Sequence, residues 1–198
     1  SASIRSDLFP AGNTNITASA LKNTLNDYKI LNPQFAYSSS FGDKALQELK
    51  LISIPSIYYG SSIKRGSVSL KFIITGSIIG ELTDDKKDGV LRQTALTSSA
   101  TDSTHSGSVA GFVLYDHGFI LLTGSWNIGD NTEIYVPGAS ATHPRWLDFA
   151  ATGAYGAGEN MPSSSFQMDF DGVNYVPNLT MFATAPKGEV NSSNNPSA

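Results

Sequence analysis

The chain contains no cysteine among its 198 residues. Disulfide bonds, a thiolate nucleophile and a cysteine-ligated metal are therefore excluded, and the redox compartment is left undetermined. Charge is also scarce, because Asp, Glu, Lys and Arg together make up only 15% of the residues, which is low for a free-standing soluble domain. The three His residues have no HxH, HxxxH or HExxH spacing, so the sequence predicts no metal site and no cofactor.

Basic side chains are too few and too scattered for a nucleic-acid interface. The chain has 13 Lys and Arg against 17 Asp and Glu, a net charge of −4. A protein that grips a phosphate backbone needs clustered positive charge, and the only local cluster is Lys64-Arg65, with Lys71 farther on. No stretch approaches the roughly 20 apolar residues of a membrane-spanning helix, and the N-terminus lacks the apolar core of a signal peptide. We expect no nucleic-acid partner and no membrane span.

The abundant residues favour β-structure. Hydrophobic residues reach 40%, enough for a core, while Ser and Thr together number 42 and Gly 18. Short apolar runs alternate with turn signals every 8 to 15 residues or so. We predict a mostly β chain, an antiparallel β-sandwich or barrel-like domain with an N-terminal helix and arm. The arm and an amphipathic helix occupy residues 1–35, the β-rich domain residues 36–190, and a polar C-terminal tail residues 191–198.

One amphipathic helix is predicted near the N-terminus, within residues 15–31. Leu21, Leu25 and Tyr28 recur at the spacing of a single helical face, and Pro33 ends the pattern. A lone helix of this length is marginal in water unless its apolar face is covered. It must therefore dock on the domain or on a partner, and these three side chains form a possible subunit interface.

A central hairpin is predicted by "GSVAGFVLYDHGFILLTGSW", residues 107–126. Both of its strands are apolar on both faces, which indicates strands inside a sheet or covered by a neighbouring subunit. Asp116, His117 and Gly118 satisfy the chemistry of a tight turn, and a catalytic His needs an orienting partner in a cleft. We expect a turn and no enzyme, with these side chains buried: Phe112, Leu114, Ile120 and Leu122.

Acidic turns supply the remaining chemical candidates. "DDKKDG" departs from a calcium loop at loop positions 3 and 12, which are Lys86 and Ala95 here, so a hairpin turn is the better interpretation. Asp169 and Asp171 share a strand face beside another Asp-Gly turn, where a surface cation site is the alternative to solvated carboxylates. A glycan hydrolase would need two carboxylates flanking a cleft, and nothing distinguishes this pair for that role. No GxSxG motif is present.

Aromatic residues raise a carbohydrate-binding alternative. Trp146 in "HPRWLDF" could act as a stacking platform, although a loop anchored by a buried Trp is the favoured interpretation. Arg145 and Asp148 are spaced to pair on one turn around it. Tyr58 and Tyr59, together with Trp126, are the other candidate surface platforms.

The runs "IPSIYYGSSIKRGSVSL", "GSVAGFVLYDHGFILLTGSW" and "KGEVNSSNNP" resemble a family of structural proteins from T4-like marine tailed phages, the cyanophage type. The resemblance covers nearly the whole chain from about residue 20. It implies a virion structural subunit, tail- or baseplate-associated, with a head or neck component as the alternative. Its partners would be other virion proteins and copies of itself, assembled in the host cytoplasm. Family members continue past the segment like "NSSNNP", whereas this chain stops at Ala198. The family carries no catalytic motif, so no site residue is transferred.

Overall fold

The computed structural model describes residues 3–12, 16–95, 105–151, 155–156 and 164–182. The predicted tail 191–198 and most of the hydroxyl-rich stretch 97–108 lie outside this part of the chain. Helix α1 spans Ile16–Tyr28. The strands, in chain order, are β1 (Arg5–Phe9), β2 (Ser38–Ser39), β3 (Gly42–Asp43), β4 (Leu49–Ser53), β5 (Ser62–Ile63), β6 (Ser69–Ile74), β7 (Ser77–Thr83), β8 (Val90–Ala95), β9 (Val109–Leu114), β10 (Phe119–Leu122), β11 (Glu133–Ile134), β12 (Tyr155–Gly156), β13 (Ser164–Asp169) and β14 (Gly172–Val173).

Eight strands form one antiparallel sheet in the order β1-β4-β10-β9-β8-β7-β6-β13. The sheet is curled into a half-barrel, so the predicted mostly β, barrel-like class with an N-terminal helix is confirmed. The predicted N-terminal arm contains the edge strand β1, which pairs with β4 from Arg5↔Ser53 to Phe9↔Leu49. The central position of the β9–β10 hairpin is as predicted, since β4 and β8 flank it.

Three bulges curl the sheet. The registers leave Ile79 of β7, Thr94 of β8 and Ala110 of β9 as extra residues between paired neighbours. An extra residue on one strand bends that strand and increases the local twist. Three consecutive bulged pairs therefore bend the sheet progressively. The turn between β6 and β7 is a two-residue connection with both Thr75 and Gly76 at positive φ, the conformation that tight hairpins require.

The two faces of the central hairpin are covered by different parts of the same chain. Phe112 lies on the face under α1, where its ring centroid is 5.1 Å from that of Phe35. Alternate residues of a strand point to opposite faces, and Val113 and Leu121, whose neighbours along the strands are also buried, are 0% exposed within the single chain. The apolar character of both faces thus reflects cover supplied within the chain. Among the described residues, the single α-helix is too short to cross a bilayer.

Candidate functional site

The predicted helix face is covered by its own chain. Leu21, Leu25 and Tyr28 are 7%, 0% and 8% exposed, because α1 lies on the half-barrel of its own chain. Tyr28 packs against Phe35, with ring centroids 5.7 Å apart. Of the two alternatives that the sequence leaves open, the structure shows docking on the domain, and the three side chains of the possible subunit interface are covered by their own chain.

The predicted aromatic platforms are mostly buried. Trp146 is fully buried and Tyr59 is 7% exposed, so neither can stack on a surface ligand, whereas Tyr58 is half exposed. The buried-anchor interpretation of Trp146 is confirmed. It sits on a short 3-10 turn, Trp146–Asp148. Nε of Arg145 donates to the Asp148 carboxylate at 3.1 Å across that turn.

His117 belongs to the turn between β9 and β10, and its contacts tie that turn to the helix. The hydroxyl of Tyr28 lies 3.3 Å from Nδ1 of His117 and donates to the Asp116 carboxylate at 3.2 Å. The backbone N–H of Asp116 donates back to the same hydroxyl at 3.0 Å. Burial raises the pKa of Tyr28 to about 12. This arrangement docks the helix on the hairpin turn.

The acidic turn between β7 and β8 contains a buried carboxylate that is bonded within the fold. Asp84 is 1% exposed, and its carboxylate accepts from the N–H groups of Gly66 and Gly89 and from the Tyr115 hydroxyl. Burial, and then the Asp84 carboxylate, raise the pKa of Tyr115. Asp88 is ion-paired with Arg92 at 2.9 Å.

The later acidic pair is also engaged by cations of the same chain. Asp169 lies 3.8 Å from Nζ of Lys71, and Asp171 lies 3.2 Å from Nζ of Lys64. Within the described ranges, no three His, Asp, Glu or Cys residues are grouped as a metal site would require. These carboxylates are therefore surface partners of Lys71 on β6 and of Lys64, which follows β5.

The most unusual surface feature is a segment that we call the apolar arm, residues 174–182. It follows β14, and the Tyr175 N–H donates to Oγ of Ser61 at 3.1 Å. The arm is neither helix nor strand. Five large apolar side chains on it are exposed: Tyr175 69%, Val176 75%, Leu179 85%, Met181 84% and Phe182 91%. Contiguous apolar exposure of this kind marks interaction surfaces.

The run "VNYVPNLTMFATAP", residues 173–186, predicts a late strand from the sequence, and this prediction is wrong for residues 174–182, the described part of that run after β14. Strand structure there stops at Val173. Pro177 lacks an N–H and weakens any central strand, which is the signal that could have separated an unpaired segment from a strand.

A cleft of about 450 Å³ lies between the segment following α1 and the ends of β9 and β10. At its wall, Lys44 is 6% exposed and its ammonium donates to the carbonyls of Gln34 and Ala36 at 2.8 and 2.7 Å. The ammonium also lies 4.6 Å from the Phe112 ring centroid. Burial lowers the pKa of Lys44 to about 8. Oε1 of Gln34 is buried and makes no hydrogen bond in the described part of the chain. We call this the Lys44 cleft.

Trp126 lines the Lys44 cleft, and contacts with His105 and Gln93 fix the position of its indole. Its indole stacks on His105, with ring centroids 4.8 Å apart and planes 6° apart. Its Nε1 donates to Oε1 of Gln93 at 3.0 Å, and Nε1 of Trp146 donates to the same oxygen at 3.0 Å. Neither Lys44 nor Gln93 was recognised from the sequence, because each looks like an ordinary surface residue and its partners are distant along the chain.

Comparison of the chain with family models, with curated protein sequences and with solved structures gives no match in any of the three.

Proposed function

We propose that this chain is a structural subunit of a tailed-phage virion, tail- or baseplate-associated, that acts by packing against other virion proteins and copies of itself. The observation that carries the proposal is the apolar arm. Its five exposed apolar side chains, including Leu179 and Phe182, gain from burial only when another surface covers them.

The contacts of the polar side chains support a non-catalytic role. His117 and Asp116 hold the turn to α1, Asp84 organises the β7–β8 turn, and Asp171 pairs with an exposed lysine. A catalytic group needs an unoccupied approach to substrate and a partner that tunes it. The groups that sequence reasoning raised for catalysis are instead used within the fold.

The sequence resemblance to structural proteins of T4-like marine phages supports the proposals that the chain belongs to a tailed-phage virion and that its partners are other virion proteins. A low content of charged residues and an exposed apolar segment such as the apolar arm are typical of subunits that pack side by side. A head or neck component is the alternative within this class. The subunit would be assembled in the host cytoplasm and released in the virion.

The test is made on purified particles of the phage that encodes this chain. Mass spectrometry of gradient-purified virions should detect the chain in constant stoichiometry with the major tail protein. Cryo-electron microscopy of the same particles should place it in symmetric copies in the tail or baseplate. Finding the chain in the soluble lysate but never in washed particles would overturn the proposal.

The Lys44 cleft favours a second candidate, a host-surface carbohydrate-binding module. Its lining combines the Trp126 indole with hydrogen-bonding side chains of Gln47, Thr123 and Ser125. Sugar sites use an aromatic face with a few fixed polar groups. An array of bacterial surface oligosaccharides probed with the purified chain tests it. Loss of binding in Trp126→Ala, with binding retained in Tyr58→Ala, would support this candidate, and no binding to any glycan would exclude it.

A further inference from the structure

The half-barrel is open along one seam, between edge strands β1 and β13. In the described residues β1 pairs only with β4, and β13 pairs only with β6. Each edge strand therefore has one side of its backbone outside the sheet ladder. Unpaired edges are templates for another strand, and proteins normally cover or blunt them.

A groove of about 490 Å³ lies between these two edges. We call it the seam groove. Residues 4–7 form one side, Phe166 and Met168 of β13 form the other, and Ile52 with Phe149 and Ala150 complete the lining. Two free strand edges over an apolar floor are the features that recognise an extended peptide by strand addition.

The same chain carries a segment suited to that groove. Within the apolar arm, residues 178–182 read "NLTMF", which places Leu179 and Met181 on one face of an extended strand and Thr180 on the other. The segment has no charged side chain to desolvate. Pro177 stands immediately before it, and a Pro is tolerated just ahead of a strand because it need not donate to the ladder. Its five residues equal the length of β1.

We propose that residues 178–182 of one copy bind as an added strand in the seam groove of a second copy, with Leu179 and Met181 directed onto Phe166 and Met168. This inference rests on the proposed structural function and names the partner, another copy of the chain. Within one copy the apolar arm stays exposed and the groove stays open, so each supplies what the other lacks.

Interface area favours reciprocal exchange. A specific interface buries about 1,200–2,000 Å² in total, and one short strand in one groove contributes only part of that. If two copies exchange their apolar arms, the buried area doubles, and no further segment of the chain is needed. Such an exchange is symmetric, with the same patch used on both subunits, as in most homodimers.

The cysteine-free sequence allows a direct test. One population of the chain carries Leu179→Cys and a second, differently tagged population carries Met168→Cys, so that each introduced thiol is the only one in its chain. After mixing, a short bismaleimide should join the two tags in a single product. The matched control replaces Met168→Cys with Leu46→Cys, an exposed apolar site away from the seam groove (73% exposed), and should give little cross-linking.

Association is measured in parallel by sedimentation equilibrium. At a concentration where the wild-type chain is monomeric, Leu179→Ser with Met181→Ser should leave the melting temperature unchanged, because both side chains are exposed in one copy. It should raise the dimer dissociation constant by about 100-fold or more. Leu46→Ser should leave the dissociation constant unchanged.

Two results would overturn the inference. One is a chain that stays monomeric with no cross-link, which includes the case where a different virion protein fills the groove. The other is cross-linking only within one chain of the Leu179→Cys, Met168→Cys double variant, which would mean that the arm folds back on itself. Either result leaves the proposed function intact if the chain is found in purified particles, so the two failures are distinguishable.

Discussion

Nε1 of Trp146 donates a hydrogen bond to Oε1 of Gln93 at 3.0 Å, with both residues almost fully buried beneath the curled sheet. The same oxygen accepts from Trp126 at the Lys44 cleft. The side-chain carbonyl of Gln93 therefore links the buried Trp146 of the 3-10 turn to Trp126 at the wall of the Lys44 cleft. Nε2 of Gln93 is buried without a hydrogen-bond partner in the described residues. Burying this unsatisfied amide group costs some desolvation free energy.

Replacing Gln93 by Leu should lower the free energy of unfolding by about 1–3 kcal/mol, because the buried Trp146 N–H loses its acceptor. Urea unfolding of Gln93→Leu, Trp146→Phe and the double variant gives the coupling between the two residues. We expect a coupling of roughly 0.5–3 kcal/mol, as for side chains that share a hydrogen bond. Strictly additive losses would show that the hydrogen bond contributes nothing.

The central hairpin should carry a large share of the core energy. Leu114 is fully buried, and Leu114→Ala should reduce the free energy of unfolding by roughly 2–5 kcal/mol through lost transfer energy and a residual cavity. The same truncation at Leu46, which is 73% exposed, should change it by less than about 0.5 kcal/mol. Similar values for the two variants in denaturant titrations would contradict the central placement of β9.

Elements with a strong local pattern could be predicted from the sequence. The period of Leu21, Leu25 and Tyr28 located α1, the two apolar runs around His117 located the hairpin, and the buried side chains of that hairpin are those expected. The pattern shows that a face is covered without showing what covers it. That is why the sequence leaves docking of the helix on the domain or on a partner open, whereas the structure shows it packed on its own chain.

The surface features depend on long-range geometry that a local pattern does not contain. Lys44 is buried by carbonyls eight to ten residues away and by a ring on β9. The apolar arm has the composition of a strand, but in the described part of the chain its residues 174–182 belong to no strand, which depends on the tertiary arrangement around β14. Tyr58 and Tyr59 are adjacent in sequence, yet one is half exposed and the other is buried.

Stability should rise with pH between about 7.5 and 9.5 because of Lys44. Burial lowers its pKa in the folded chain to about 8, against 10.5 for the ordinary side chain. In this window the unfolded chain binds more protons than the folded chain, so the free energy of unfolding increases with pH. The increase expected from this one residue is about 2 kcal/mol.

Lys44→Met isolates that contribution. The variant has no titrating group at this site, so the difference in unfolding free energy between wild type and variant should follow the Lys44 titration. The pKa of Lys50 is also lowered by burial, but Lys50 is present in both proteins and cancels. The window stops below pH 10, because tyrosines such as Tyr28, with its raised pKa, give a slope of opposite sign there. Parallel pH profiles for the two proteins would contradict the lowered pKa.

Gly118 should matter more than His117 in the hairpin turn. Gly118 has φ +66, and a Cβ there would overlap Cε1 of Tyr59 and lie 2.5 Å from the Ile54 carbonyl oxygen. Gly118→Val therefore combines a strained left-handed backbone with a clash against a neighbouring segment, and should cost more than about 3 kcal/mol. His117→Asn loses one 3.3 Å contact to the Tyr28 hydroxyl, while Asn tolerates turn conformations, so its loss should be below about 1 kcal/mol.

Thermal melts of the two variants and a particle-assembly assay separate a turn from a catalytic site. A turn predicts that Gly118→Val lowers both the melting temperature and assembly, while His117→Asn leaves both near wild type. A catalytic His predicts the reverse order, in which His117→Asn folds normally and abolishes activity. Because Tyr28 holds the Asp116 carboxylate and backbone N–H independently of the His ring, the helix stays docked in His117→Asn. A collapse of stability in that variant would therefore contradict the small contribution assigned to the His117 side chain.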